Sequence, residues 1–347
     1  MKAMVFQGPN RREVVEKPMP KVEHNKDAVV RMTKTTICGS DLHILLGDTP
    51  ETPAGLTLGH EGIGIVEEVG SGVYDFKPGD KVIVSCITSC GTCENCRRNL
   101  YAHCDNGGWI LGHTIDGTQA EYVRIPYADT SLYHLPDDFN EEAAVTLSDI
   151  LPTGYEIGVI NGGVSAGQTV AIVGAGPVGM SALLAAQFNS PARIIQIDLS
   201  ESRLQKALEM GATDTVNSAD ADRAVEQIME MTDGQGVDVV IEAVGIPATF
   251  ELCQRLVKPG GRIANVGVHG KPVQLHLEDL WIKNINISTG LVSAYTTQML
   301  MRVVGSGKID PTKLVTHRFN FSDVEQAYET FSKAAEHEAM KVIINFD

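Results

Sequence analysis

The chain has no surplus of positive charge: 28 Lys and Arg stand against 44 Asp and Glu, for a formal net charge of −16. Nucleic acids and anionic membrane surfaces both reward Lys and Arg, so neither is an expected partner. Residues 1–10 contain no apolar segment of the signal-peptide kind, so a secretory leader is not expected. The one stretch free of charge, residues 157–192, is interrupted by Gly162, Gly163, Gly167, Gly174, Gly176, Pro177 and Gly179. It reads as a buried strand followed by a buried helix, not as a membrane span. Internal repeats and low-complexity segments are also missing.

What is present is an ordinary globular composition, 43% hydrophobic and 21% charged, over 347 residues. That length accommodates two domains. The 34 glycines favour tight turns and close backbone approaches. Of seven cysteines, Cys38, Cys90, Cys93, Cys96 and Cys104 stand at ligand-like positions, which points to metal and a reducing compartment, the cytoplasm, more than to disulfides. Cys86 and Cys253 read as small buried hydrophobes.

The first 150 residues look β-rich, with strands expected over 28–33, 63–69 and 81–84. From about residue 151 the texture changes to short apolar runs, 169–173, 193–197, 237–241 and 262–266, alternating with helical stretches such as 201–210 and 249–257. That alternation implies a doubly wound parallel sheet of Rossmann type. Residues 323–335 then read as one helix and 341–346 as a final strand.

Gly174-Ala175-Gly176-Pro177-Val178-Gly179 follows a predicted strand and opens a predicted helix, and Asp198 ends the next strand 19 positions after Gly179. Glycines there let the backbone approach a pyrophosphate at the helix N-terminus, and the carboxylate bonds an adenosine ribose. Asp198 would repel the extra phosphate of NADP, so NAD is the expected cofactor. Arg203 is the residue that could counter this, or else a solvated helix charge.

Cys90, Cys93, Cys96 and Cys104 are spaced C-x2-C-x2-C-x7-C. Four thiolates close a structural zinc site. The same opening begins a ferredoxin cluster, but that run continues x3-C-P, which this one does not. Cys38 and His60 form a second, open set. Gly59-His60-Glu61-Gly62-Ile63-Gly64 lacks the second His of a zinc hydrolase motif.

Taken in order, Cys38-Gly39-Ser40-Asp41-x-His43, Gly59-His60-Glu61-x-x-Gly64, Gly79-Asp80-x-Val82, the cysteine quartet and Gly174 to Gly179 resemble the zinc-dependent medium-chain alcohol dehydrogenases, from about residue 25 to the C-terminus. The resemblance implies a GroES-like catalytic domain (1–150), a Rossmann NAD-binding domain (151–288) and a C-terminal return to the first (289–347), with substrate in the cleft between. It implies two zinc ions per chain and makes Asp149 the third catalytic ligand beside Cys38 and His60, with Glu61 nearby. Ser40 then matches the hydroxyl that accepts the alcohol proton, and His43 the imidazole that passes it to solvent through the cofactor ribose. Thr153, Val266, Val268 and Leu291 match nicotinamide contacts. Gly39 stands where some members have a pyrophosphate-binding Arg, and Lys341 is the candidate replacement. Trp109 is expected in the substrate pocket.

The implied reaction is reversible, zinc- and NAD-dependent oxidation of a primary or secondary alcohol to an aldehyde or ketone. A polyol, threonine or formaldehyde dehydrogenase of the same family is the alternative; a non-catalytic zinc- and nucleotide-binding regulator is the rival from another class. By resemblance the chain is a homo-oligomer, with a tetramer favoured over a dimer.

Overall fold

The computed structural model describes residues 1–346. The chain forms two compact units: one is Met1–Pro152 together with the chain from Ser293 onward, the other Thr153–Val292.

The first unit is built on a seven-stranded sheet in the order Val315–Asn320, Lys341–Asn345, Ala28–Thr36, Gly62–Val69, Lys81–Val84, Leu132–His134, with Tyr122–Ile125 paired beside Ala28–Thr36. Its ladders are antiparallel except the first, which joins the two C-terminal strands in parallel. Ala28, Val30 and Met32 alternate onto one face and pack with Val66, Val82, Val84 and Leu111 as a core. A second core joins Met4, Ile37, Ile44 and Leu58 to Tyr328, Val342 and Ile344, so the C-terminal segment closes over the helix Gly39–Leu46 and the strands next to it. The helix expected over 323–335 is shorter, Val324–Ser332: a tighter 3-10 turn, Phe321–Asp323, precedes it and turns follow Ser332.

The second unit is a six-stranded, all-parallel sheet in the order Asp214–Asn217, Arg193–Asp198, Thr169–Val173, Val237–Glu242, Val257–Asn265, Asn286–Thr289. Chain order runs outward from Thr169–Val173 on one side, then returns to its other side at Val237–Glu242. That reversal is the switch point at which such sheets bind ligands beyond their carboxyl ends. Its inner strands are almost wholly buried, as parallel strands covered on both faces must be. Ser200 caps the helix Glu201–Glu209, and Asp220 caps Ala221–Met231, each through its side-chain oxygen. The uncharged stretch opens in the second half of a π-helix, Gly154–Ile160, and resolves into the strand Thr169–Val173 and the helix Pro177–Ala186. No described helix is long and apolar enough to cross a membrane.

Candidate metal centres and dinucleotide loop

Three local structures in the first unit converge on one buried point. Cys38 ends the run from strand Ala28–Thr36 and caps the helix Gly39–Leu46, His60 leads into Gly62–Val69, and Asp149 lies in the turn after the helix Glu141–Thr146. Ligand atoms of Cys38, His60, Glu61 and Asp149 all lie within 4.8 Å of one another. Asp149 Oδ2 is 3.3 Å from His60 Nε2 and 3.8 Å from Cys38 Sγ. Ser40 Oγ is 3.6 Å from the same sulfur, and His43, half-exposed, pairs with Asp48 at 2.7 Å.

The electrostatics of this point call for a cation. Burial and the charge of Glu61 raise the pKa of Cys38, and burial raises that of Asp41. Burial disfavours a charged His60, yet hydrogen bonds to Asp149 and Cys38, with the charge of Asp41 behind them, push its pKa well above the usual value. A thiol, an imidazole and carboxylates sharing one dry site are costly without a counter-charge. Soft thiolate with imidazole and carboxylate is a zinc donor set, and three protein ligands leave a position open.

Sequence reasoning missed the residues that orient this set. Asp41 is fully buried, with Oδ1 3.9 Å from His60 Nδ1, and its other oxygen accepts from the Cys38 N–H at 2.8 Å and from Gln119 Nε2 at 3.1 Å. Gln119 in turn accepts from the Tyr328 hydroxyl at 2.7 Å. The carboxylate lies behind the imidazole and braces Cys38 through its backbone N–H; at 3.9 Å, Asp41 Oδ1 and His60 Nδ1 are not hydrogen-bonded to each other. The spacing Cys38-x-x-Asp41 was the available signal, since Asp41 also completes a capping box on its helix.

Lys341 corrects an expectation. It is 1% exposed, and its ammonium donates to both Glu61 oxygens at 2.7 and 2.6 Å. Burial alone would lower its pKa, but the negative charge of Glu61 outweighs that and raises it. An ammonium committed in this way is not offered to a pyrophosphate.

Cys90, Cys93, Cys96 and Cys104 bring their sulfurs within 4.8 Å of one another, and no disulfide forms among the described residues. Backbone N–H groups point at the sulfurs: Cys90 N to Cys104 Sγ at 3.2 Å, Cys93 N to Cys90 Sγ at 3.4 Å, Asn106 N to Cys104 Sγ at 3.4 Å. Against burial, which raises it, hydrogen bonds from Thr92 and Cys93 bring the Cys90 pKa down to about 5. Burial and hydrogen bonds with Cys93 and Cys104 push Cys96 up to about 12. Four crowded sulfurs ionise together only around a cation, as a closed tetrahedral zinc site requires.

In the second unit, Gly174 has φ of +104° at the end of the strand Thr169–Val173, Gly176 caps the helix Pro177–Ala186, and Pro177 is at its first turn. A Cβ on Gly179 would lie 1.8 Å from the Gly174 carbonyl oxygen, so only glycine lets the helix approach the turn this closely. A Cβ on Gly176 would meet nothing within 4 Å, and Val178 is half-buried beside it. Asp198 accepts from Ala175 N at 2.7 Å and Ser200 N at 2.9 Å, which ties the acidic strand end to the loop. Arg203 lies on the following helix, half-buried. Thr153 begins this unit, Val266 follows the strand Val257–Asn265, and Val268 and Leu291 are 63% and 43% exposed. Trp109 belongs to the first unit, edge-on to His60 with ring centroids 5.9 Å apart.

Residues 24–137 match the family described as alcohol dehydrogenase GroES-like domain, and residues 177–304 match zinc-binding dehydrogenase. An alcohol dehydrogenase of Cupriavidus necator is 38% identical, covering 96% of this chain and 95% of that protein. The NADP-dependent isopropanol dehydrogenase of Thermoanaerobacter brockii is 36% identical, covering 90% of each. Among solved structures, the apo form of zinc dependent alcohol dehydrogenase 2 from Streptococcus pneumonia superposes with a TM-score of 0.97 at 56% identity, over 100% of this chain and 99% of that one. This chain belongs to the zinc-binding alcohol dehydrogenases with a GroES-like domain.

Proposed function

We propose that the protein reversibly oxidises primary or secondary alcohols to aldehydes or ketones by hydride transfer to NAD. The observation that carries this is the open Cys38–His60–Asp149 set, with Ser40 beside it, in a chain that also holds a dinucleotide loop. Bound to these three residues, zinc supplies Lewis acidity that lowers the pKa of a hydroxyl. NAD, held by Gly174, Gly176, Gly179 and Asp198, supplies the hydride acceptor.

The chain's own groups do the rest. The Ser40 hydroxyl, 3.6 Å from Cys38 Sγ, receives the alcohol proton, and His43 hands it to solvent. Asp48 accepts from His43 Nδ1 at 2.7 Å and holds that ring in place. Asp41 braces the Cys38 backbone, and Lys341 neutralises Glu61, so the residues lining the site contribute a defined charge to the reaction. The cysteine quartet takes a second zinc whose role is to hold its own lobe.

An acidic residue at the end of the second strand, Asp198, supports NAD over NADP, since a carboxylate there would repel a 2′-phosphate. The chain works as a homo-oligomer in the cytoplasm, most simply a tetramer. Among the described residues, strand Asn286–Thr289 leaves one edge of the parallel sheet unpaired, and Leu277, Trp281, Ile282 and Ile287 leading into and along it are 59%, 72%, 67% and 37% exposed. An open edge flanked by apolar side chains suits a second copy of the chain.

The test is NADH formation from a panel of primary, secondary and polyhydric alcohols, with NADP run in parallel. Turnover with NAD on a monohydric alcohol is expected. A zinc-loaded preparation inert on every alcohol would refute the reading.

A further inference from the structure

Trp109 is held from behind by a residue that no motif singles out. His113 stacks on the Trp109 ring, with centroids 4.2 Å apart and planes 16° from parallel, and the indole also meets His60 edge-on. His113 Nδ1 is 3.0 Å from the Trp109 carbonyl oxygen, and Nε2 is 2.8 Å from Glu51 Oε1. Both partners carry acceptor oxygens, and the Glu51 carboxylate is held below its usual pKa by its own backbone N–H and by His113. His113 itself is buried, whereas the Glu51 side chain is 53% exposed.

The turn that carries His113 cannot slide. Ile110 O accepts from the N–H groups of His113, Thr114 and Ile115 at 3.2, 2.9 and 3.0 Å. Gly112 has φ of +66°, and a Cβ there would lie 2.4 Å from the carbonyl oxygen of Gly59, the residue before the ligand His60. Thr118 N also donates to Gly59 O, at 2.9 Å. The stacked pair and the metal-ligating imidazole therefore share one rigid frame. Residues 47–55, by contrast, form a loop after the helix Gly39–Leu46, and its two carboxylates each grip one imidazole: Asp48 holds His43 and Glu51 holds His113.

We propose that Glu51 and His113 are positioning residues that press Trp109 flat as a wall beside the metal cluster, and that this wall limits the bulk of the alcohol accepted. The inference rests on the proposed dehydrogenase reading. Neither residue touches the reacting atoms; they act through the indole. Glu51, on an exposed loop, tunes a half-buried surface that it does not itself line.

Two readouts test this. The chain has two tryptophans, so a Trp281→Phe background leaves Trp109 as the one reporter. Time-resolved anisotropy of that reporter, with no substrate present, should show fast local motion in Glu51→Ala and His113→Ala and none in Glu51→Gln, which keeps an acceptor for Nε2. On alcohols, the kcat/KM ratio of a branched over a small substrate should rise by about tenfold in the two alanine variants, the scale on which a pocket wall discriminates. Glu51→Gln should retain the wild-type ratio. A ratio within twofold of wild type in both alanine variants, or an unchanged Trp109 anisotropy, would overturn the proposal. If no alcohol turns over at all, the dehydrogenase reading fails, and the anisotropy still decides whether Glu51 and His113 hold the indole.

Discussion

Replacing Lys341 with Met should destabilise the protein without weakening its hold on NAD. Lys341 and Glu61 are each about 1% exposed, and the ammonium meets both carboxylate oxygens at 2.7 and 2.6 Å. Removing one member of a buried pair leaves the other charge uncompensated, at a cost of about 3–5 kcal/mol. Glu61 is worse placed than most such orphans, because Cys38 and Asp149 bring further acidic atoms within 4.8 Å. Removing both charges, in Lys341→Met with Glu61→Gln, should recover most of that loss, since a neutral pair of similar volume needs no counter-ion. Urea unfolding of the zinc-loaded single and double variants reads these differences directly, and titration of NAD in the same preparations reads the cofactor. An NAD affinity that falls tenfold in Lys341→Met while stability stays within 1 kcal/mol of wild type would refute the reasoning. It would restore Lys341 as a pyrophosphate ligand.

Asp41→Asn should keep the fold but lower zinc affinity at the Cys38 site by about 10–100-fold, the usual effect of altering a carboxylate that backs the metal ligands, as competition with a chelator would show. Asp198→Ala should lower the ratio of kcat/KM with NAD over NADP by at least about tenfold, the worth of a charge-assisted hydrogen bond, in parallel assays with the two cofactors. Glu141 accepts from Lys81 at 2.6 Å and pairs with Lys34 at 3.3 Å, and although burial works against it the two ammonium groups hold its carboxyl below the usual range. A depressed folded pKa contributes stability above the unfolded value and loses it as pH falls through the folded one. Glu141→Gln should therefore cost about 1 kcal/mol in urea at pH 7, and the gap should close below about pH 4.

How much of this was legible in the sequence depends on where the information lies along the chain. The inner strands were legible because continuous apolar runs bounded by turns have few other folded forms: Thr169–Val173 of the parallel sheet and Lys81–Val84 of the antiparallel ladders stand where the pattern put them. The edge strands Asp214–Asn217 and Asn286–Thr289 were not, being short and mostly polar or exposed. Cys38 and His60 announce themselves by local motifs. Asp149 is one carboxylate among many, and only family resemblance picked it out before the fold brought it 3.3 Å from His60. Asp41, Gln119 and Tyr328 form their chain of hydrogen bonds across distant segments, which no local pattern encodes. Lys341, expected at a pyrophosphate, misled for a related reason: its partner Glu61 is distant in sequence, so nothing local shows that its charge is already paired.

The central claim is that an open, catalytic metal set and a closed, structural one coexist in this chain. The most direct measurement counts zinc and alcohol-dependent NADH formation together, in wild type and in Cys38→Ser. The account predicts two zinc ions per wild-type chain with turnover, and one zinc with no turnover in the folded variant. Two zinc ions retained by Cys38→Ser, or full activity after one is lost, would contradict it.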